Sequence, residues 1–513
     1  MLSVLLIFST VNQVFSARIL GFFPTPSISH QVIFQPIWKE LSLRGHNVTI
    51  ISPNIIGDPT LINLTELDMG FTYDLLKKPE NNIGKIMRKG NYPIYNIHYA
   101  FCVVELAMTM MFESPPVQKL LKDDSQQFDL ILLEVLQPLA NIFSAKYRVP
   151  TVGIQSLPGI LSTHDMVGNP TNPATTTDLF LPFDDNKSFP ERIKTVLHQI
   201  IFRLYWNWYL LPRIDTIARK YTSDNIPYIG DVEKNVSLLL LNTNVVMNYP
   251  RPNVPSIVEI GQMHIKPKKP LPKSLKAFLD KSKKGVIYFS LGSNVRCANE
   301  SKDFIDNVKT ALGSLPYDVI WKWEIDIMEN KPDNILLQKW LPQQDLLGHP
   351  NVRVFVTQGG FQSIEESIVN GVPMVVLPII ADQHFNAQRM KHLGIAKVLD
   401  IETMTRDELK NAIIEVAQTK KYKDIVLKYQ KLMLDQPNTG IEKAIWWIEY
   451  VIRHNGASHL RYSAMDTPFY KYYLLDVIGF FLVIFIIFLL LLLKLYKLVK
   501  YFPKAVIKNK KIN

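Results

Sequence analysis

The chain has 513 residues, 47% of them hydrophobic and 20% charged, with a formal net charge of +11. This balance fits a folded protein of two or three domains and excludes a disordered chain. Lys494, Lys497, Lys500, Lys504, Lys508, Lys510 and Lys511 lie together at the end of the chain without an acidic neighbour. The excess charge therefore marks a basic tail and makes no case for nucleic acid.

Residues 1–17 open with the apolar run Leu2 to Phe8 and end in Ser16 and Ala17. They predict a cleaved secretory signal, although no Lys or Arg precedes the run, and a first buried strand is the competing reading. Arg18 to Phe23 fills the role of that strand better. The loop Pro24-Thr25-Pro26-Ser27-Ile28-Ser29-His30 leads into a helix to Leu43, with Gly45 as the glycine past its end. Val48 to Ile51, Phe128 to Leu133 and Thr151 to Ile154 read as further buried strands, with Glu134 at the end of the second. Strands separated by helices over 18–261 predict a doubly wound α/β domain. Pro190 to Tyr221 is amphipathic and rich in Trp, Tyr, Leu and Ile. It lines a pocket, rests on a membrane or packs in a core. Cys102 and Cys297 are the two cysteines. They form neither a disulfide framework nor a metal cluster; two buried thiols are expected, and their pairing stays open.

Residues 262–284 carry Lys266-Pro267-Lys268-Lys269-Pro270 and then a short lysine-rich helix, a linker composition. A second α/β domain is predicted over 285–455. Its strands are Gly285 to Ser290, Val319 to Trp323, Ile335 to Leu337, Val352 to Val356, Met374 to Leu377 and Ala396 to Leu399. Thr405 and Glu408 form a capping box that opens a helix. Within this half, Val352 to Val356 stops at Gln358-Gly359-Gly360, and an amphipathic run follows with Ile364, Ser367 and Ile368 on one face. A strand, a glycine turn and a helix start make an anion site, because free N–H groups and the positive dipole end point at the ligand. The spacing matches neither the dinucleotide fingerprint nor the P-loop. On its own, the pair of glycines is equally a tight turn.

Val477 to Leu493 is free of charge, and 472–493 predicts one transmembrane helix. Tyr470, Tyr472 and Tyr473 suit one interface, and the lysines of 494–513 suit the cytosolic side. The body then faces the lumen. The sequons at Asn47, Asn63, Asn186, Asn235 and Asn299 become glycosylation candidates. Asn47, inside a predicted strand, is expected to go unused.

Trp340-Leu341-Pro342-Gln343, the Gln358-Gly359-Gly360-Phe361-Gln362-Ser363 turn, Glu366 and the pair Asp382-Gln383 fall in one block. This block resembles the signature of the UDP-glycosyltransferases, in a form similar to arthropod members, and looser resemblance covers nearly the whole chain. The resemblance implies the GT-B fold: two Rossmann-like doubly wound domains, the first for an acceptor and the second for a UDP-sugar. Trp340 would stack on uracil and Gln343 would hydrogen-bond it, with a core tryptophan as the plainer alternative. Glu366 would accept from the ribose hydroxyls, and Glu365 is expected to face solvent. Gly359, Gly360 and Gln362 would hold the diphosphate, with Gln358 where the family often has histidine. Ser290, Gly292 and Ser293 match a second phosphate-side loop, or form a plain turn. Asp382 and Gln383 match the pair that holds the sugar, and Asp382 also suits a helix N-cap.

The resemblance makes His30 the general base. Glu134, standing where the family has aspartate, would orient it. The expected activity is inverting transfer of a hexose, glucose first and glucuronate second, to a hydroxyl of a small lipophilic acceptor. No metal and no cofactor beyond the UDP-sugar co-substrate are expected. Gln358 and Glu134 keep a rival alive: a catalytically silent nucleotide-sugar-binding membrane protein. Lys510-Lys511-Ile512-Asn513 resembles the dilysine retrieval signal of endoplasmic reticulum membrane proteins. A homo-oligomer is left open.

Overall fold

A computed structural model describes residues 16–77, 93–222, 225–293, 295, 297–325 and 327–509. Most of the expected signal segment and the last four residues lie outside that range.

Apolar runs make the strands, and both faces of each sheet are covered. The first sheet is parallel and orders its seven strands β3-β2-β1-β4-β5-β6-β7. They are β1 (Arg18–Phe22), β2 (Asn47–Ser52), β3 (Leu64–Asp68), β4 (Leu130–Glu134), β5 (Thr151–Gln155), β6 (Leu238–Leu241) and β7 (Ile257–Glu259). The second, also parallel, orders its six strands β10-β9-β8-β11-β12-β13. These are β8 (Val286–Ser290), β9 (Asp318–Lys322), β10 (Ile335–Gln338), β11 (Val352–Thr357), β12 (Met374–Val376) and β13 (Ala396–Val398). Both sheets run outward in opposite directions from a central pair, β1/β4 in one and β8/β11 in the other. Such a switch point opens a crevice beyond the C-terminal strand ends, where ligands of open α/β sheets bind.

Strand β8 illustrates the burial. Ile287 and Phe289 join the core that includes Leu409, Ile413 and Val416. Val286 and Tyr288, pointing to the other face, join Leu346, Ile364, Ile368 and Met390. A period of two with both sets apolar is what a strand buried on both faces requires. The Thr405–Glu408 capping box forms and opens the helix Arg406–Gln418. In the first sheet, Ile19, Val48, Leu130 and Val152 pack with Ile33, Ile37 and Leu41 of the helix Ile28–Leu43. Ala444, Ile445, Ile448 and Val451 belong to the same core. The helix Gly440–Arg453, grouped by sequence position with the second half, therefore packs its apolar stripe on the first.

Three strands have no counterpart in the sequence reading: β3, β6 and β7. The amphipathic stretch from Pro190 forms the helix Phe189–Leu204, a π-turn over Tyr205–Leu210 and the helix Leu211–Tyr221. Both cysteines are free thiols.

The chain from Tyr462 onward is a separate unit. It contains the helix Leu475–Asn509. Within it, Leu475–Lys500 is exposed along its length and is long and apolar enough to cross a membrane. The helix Pro93–Glu113 passes the same test of length and composition, but Phe101, Ala107 and Met108 are buried in the body.

Candidate active site

His30 stands in the first turn of the Ile28–Leu43 helix, just beyond β1, and Glu134 is the last residue of β4. The switch point of the first sheet thus brings them together. His30 Nδ1 lies 3.1 Å from Glu134 Oε1 and 2.8 Å from the Ser156 hydroxyl. Glu134 Oε2 accepts from the Thr25 amide at 3.0 Å, so the carboxylate is fixed at both oxygens. Two partners on Nδ1 orient the ring. Among the described residues nothing hydrogen-bonds Nε2, the nitrogen left for a substrate. Such a pair can serve as a general base with an orienting acid. The extra methylene of Glu134 does not prevent the contact.

The switch point of the second sheet supplies the glycine turns. Gly292, after β8, has φ 82°, and a β-carbon there would collide with the Gln358 side-chain amide. Gly359, after β11, has φ 85°, and a β-carbon would come within 2.8 Å of Val376 Cγ1. Both are positions that only glycine fills without strain. Ser290 is buried, and its hydroxyl accepts from the Gly292 amide at 3.3 Å. Gln358 is also buried, with its amide oxygen taking the Thr357 hydroxyl at 3.2 Å. Gly360 is the N-cap of the helix Phe361–Val369 and has no side chain to cap it, so the first amides of that helix are open to a ligand. Ser293 lies in the turn after Gly292.

Gln343 is the hub of the outer end. Its Nε2 donates to Glu366 Oε2 at 2.8 Å and to the Ser363 hydroxyl at 3.0 Å, while its Oε1 accepts from the Tyr288 hydroxyl at 2.9 Å. Burial pushes the Glu366 carboxyl up to about 7, opposed by the Gln343 bond. Trp340 is 62% exposed, an indole face open to a flat partner and no part of a core.

Asp382 accepts from Asn386 Nδ2 at 2.6 Å, and Asn386 also donates to the Gly359 carbonyl at 3.0 Å. Asp382 occupies the N-cap of the helix Gln383–His392 without capping it through its side chain. Burial raises its carboxyl, opposed chiefly by the Asn386 hydrogen bond and least by His30. Gln383 turns its amide oxygen inward, onto the Ile379 and Ile380 amides at 2.9 and 3.0 Å.

Gln362 connects the two halves. Its Nε2 donates to the Ser156 carbonyl at 3.1 Å, while the Ser156 hydroxyl faces His30. One serine therefore separates the imidazole from the helix that starts at the glycine turn. Asn242 Nδ2 shares the Ser156 carbonyl at 3.1 Å. Glu365 corrects the sequence reading. It is fully buried, accepting the Gln262 amide at 3.0 Å and Asn242 Nδ2 at 3.5 Å, because Phe361, Ile364, Glu365 and Ile368 share the inward stripe of their helix. Ser156, Asn242, Asn386 and His264 are site neighbours the sequence reading missed.

Two α/β lobes thus carry an imidazole beyond the strand ends of one and a glycine turn beyond those of the other, an architecture in which a transferase can set an acceptor against a donor. The chain belongs to the UDP-glucoronosyl and UDP-glucosyl transferase family, whose model matches residues 22–512. It is 32% identical over 498 residues to UDP-glucosyltransferase 2 of Dactylopius coccus, covering 96% of this chain and 93% of that protein. It is 31% identical over 475 residues to human UDP-glucuronosyltransferase 1A8, covering 89% and 87%. Among solved structures, the glycosyltransferase TcCGT1 in complex with UDP aligns with a TM-score of 0.54 at 16% identity. That alignment covers 86% of this chain and all of the other. VinC in complex with DTDP aligns with a TM-score of 0.56 at 16% identity, covering 85% and 100%. The fold is GT-B and the protein is a UDP-glycosyltransferase.

Proposed function

We propose that the chain transfers a hexose, glucose in the first instance, from its UDP-sugar to a hydroxyl of a small lipophilic acceptor. His30 Nε2 takes the acceptor proton. The freed oxygen bonds the anomeric carbon from the face opposite the phosphate, the carbon–phosphate-oxygen bond breaks, and UDP leaves with its electron pair. A single displacement of this kind inverts the anomeric centre. Gly359, Gly360 and the helix amides receive the diphosphate, with Gln358 adding a donor but no charge. Ser290, Gly292 and Ser293 would close the phosphate side. Trp340 and Gln343 would hold uracil, Glu366 the ribose, and Asp382 and Gln383 the sugar. Because helix amides can supply the leaving-group stabilisation, the reaction is proposed to need no metal.

The observation that carries this reading is the Ser156 bridge, which sets His30 against the helix behind the glycine turn. Glucose is favoured by the insect relatives, and glucuronate is the second reading, supported by near-equal identity to the mammalian glucuronosyltransferases. The segment Leu475–Lys500 supports a single-span anchor. The body would then face the lumen of the endoplasmic reticulum. A donor-by-acceptor matrix on purified microsomes tests the donor and acceptor assignment. UDP release with UDP-glucose and phenolic acceptors is expected. UDP binding without turnover on any pair would favour the silent binding protein.

A further inference from the structure

The segment that leaves the first sheet after β7 does not run free to the second lobe. Gln262 holds φ 67°, left-handed for a side chain that rarely adopts it, and is gripped from two sides. Its amide donates to Glu365 at 3.0 Å and its Nε2 to the Met433 carbonyl at 2.8 Å. Two residues on, His264 is buried against the helix that starts at the glycine turn. Its Nε2 donates to the Gln362 carbonyl at 3.2 Å and stands 3.6 Å from Glu366 Oε1. Its Nδ1 stands 3.6 Å from Glu365 Oε2 and has no hydrogen-bond partner among the described residues.

The ring is therefore a wedge between two neighbouring carboxyl groups. Gln362, Glu365 and Glu366 are spaced i, i+3 and i+4 on one helix, so one imidazole reaches all three. The bond to the Gln362 carbonyl sets the proton on Nε2, and that N–H edge faces Glu366 Oε1. Gln343 holds the other oxygen, Oε2, at 2.8 Å. With the ring present, Glu366 is held between a donor on one side and a positive edge on the other. Without it, the carboxyl loses one wall and gains freedom to swing toward Glu365. Lys266 and Asp345 are the other charged groups acting on this site.

We propose that His264, on the segment joining the lobes, is a positioning residue for Glu366 and so ties recognition of the donor's ribose to the joint between the lobes. The inference rests on the reading of Glu366 as the ribose acceptor. Its test uses the full chain in detergent and compares equilibrium binding of UDP with that of 2′,3′-dideoxy-UDP, which lacks the hydroxyls Glu366 would receive. The wild type is expected to prefer UDP at least tenfold. His264→Ala is expected to cut that preference at least fivefold, by weakening UDP while leaving the dideoxy nucleotide and the acceptor KM unchanged. His264→Gln keeps an amide donor for the Gln362 carbonyl and is expected to retain most of the preference. If His264→Ala does not fold, His264→Asn, too short to reach both carboxyl groups, gives the same readout. An unchanged preference, or equal weakening of both nucleotides, overturns the proposal. Glu366→Ala separates the two claims: if it keeps the preference, the ribose reading itself fails, whatever His264 does.

Discussion

Glu365→Gln tests how the buried acids are held. Burial pushes the Glu365 carboxyl from 4.5 to about 8, against the lowering effect of the Gln262 amide and Asn242. In the unfolded chain the group is ionised at pH 7, so folding must take up a proton. At about 1.4 kcal/mol per pH unit, doing so costs roughly 3 kcal/mol at pH 7. A folded pKa above the unfolded one contributes stability that is complete below pH 4.5 and is lost as pH rises through about 8. Glutamine has the same shape and carries no such cost. It keeps an oxygen for the Gln262 amide and directs its NH2 at the unpartnered His264 Nδ1, at the expense of the long Asn242 contact, about 1 kcal/mol. The variant should therefore be more stable than wild type by about 2 kcal/mol at pH 7, with the gap widening toward pH 8 and closing by pH 5. Thermal unfolding of the solubilised full chain, followed by tryptophan fluorescence across that range, measures the difference. A gap that does not change with pH, or a variant less stable throughout, would refute the reasoning and mean the carboxylate is ionised in the fold.

Trp340→Ala removes an exposed indole, so its unfolding midpoint should stay at the wild-type value. If the ring stacks on uracil, a loss of about 1–3 kcal/mol raises the KM for the UDP-sugar by roughly fivefold to a hundredfold, with the acceptor KM unchanged. Steady-state kinetics with each substrate varied in turn decides. Gly359→Ala places a β-carbon at φ 85° and 2.8 Å from Val376, and should cost about 1–3 kcal/mol of stability along with donor affinity. Thermal unfolding with and without UDP would show both losses. Full activity after metal chelation with EDTA is expected, since helix amides rather than a metal are proposed to stabilise the departing diphosphate.

Much of the fold could be read because parallel strands announce themselves: Val352–Thr357 and Leu130–Glu134 are apolar runs that stop at a turn or an acid. β3, with the sequence LTELD and half-exposed at the edge of its sheet, carries no such signal. β6 is four leucines and β7 is Ile257-Val258-Glu259, and three or four residues do not distinguish a strand from a helix. At the site, the glycine turn between a strand and a helix is a local pattern and was legible, whereas Trp340 and Gln343 were singled out through resemblance. The partners of His30 are distant in sequence: Glu134 was inferred only through resemblance, and Ser156 follows β5 with nothing in its spacing to point at an imidazole. Glu365 was misjudged although its helix carried the evidence. Phe361, Ile364, Glu365 and Ile368 fall at i, i+3, i+4 and i+7, and a charge on such a stripe marks a buried acid rather than a solvated one. The docking of Gly440–Arg453 on the first lobe was invisible for a different reason, since an apolar stripe does not name its partner.

The central claim is that the imidazole of the first lobe deprotonates an acceptor that attacks a sugar held by the second. It is tested most directly by measuring UDP-sugar turnover and UDP binding side by side for the wild type and His30→Ala. Turnover reduced by a factor of 100 or more, the ~10²–10⁴ contribution of a general base, with UDP affinity unchanged, is the result the account predicts. Turnover at the wild-type rate in the variant would contradict it.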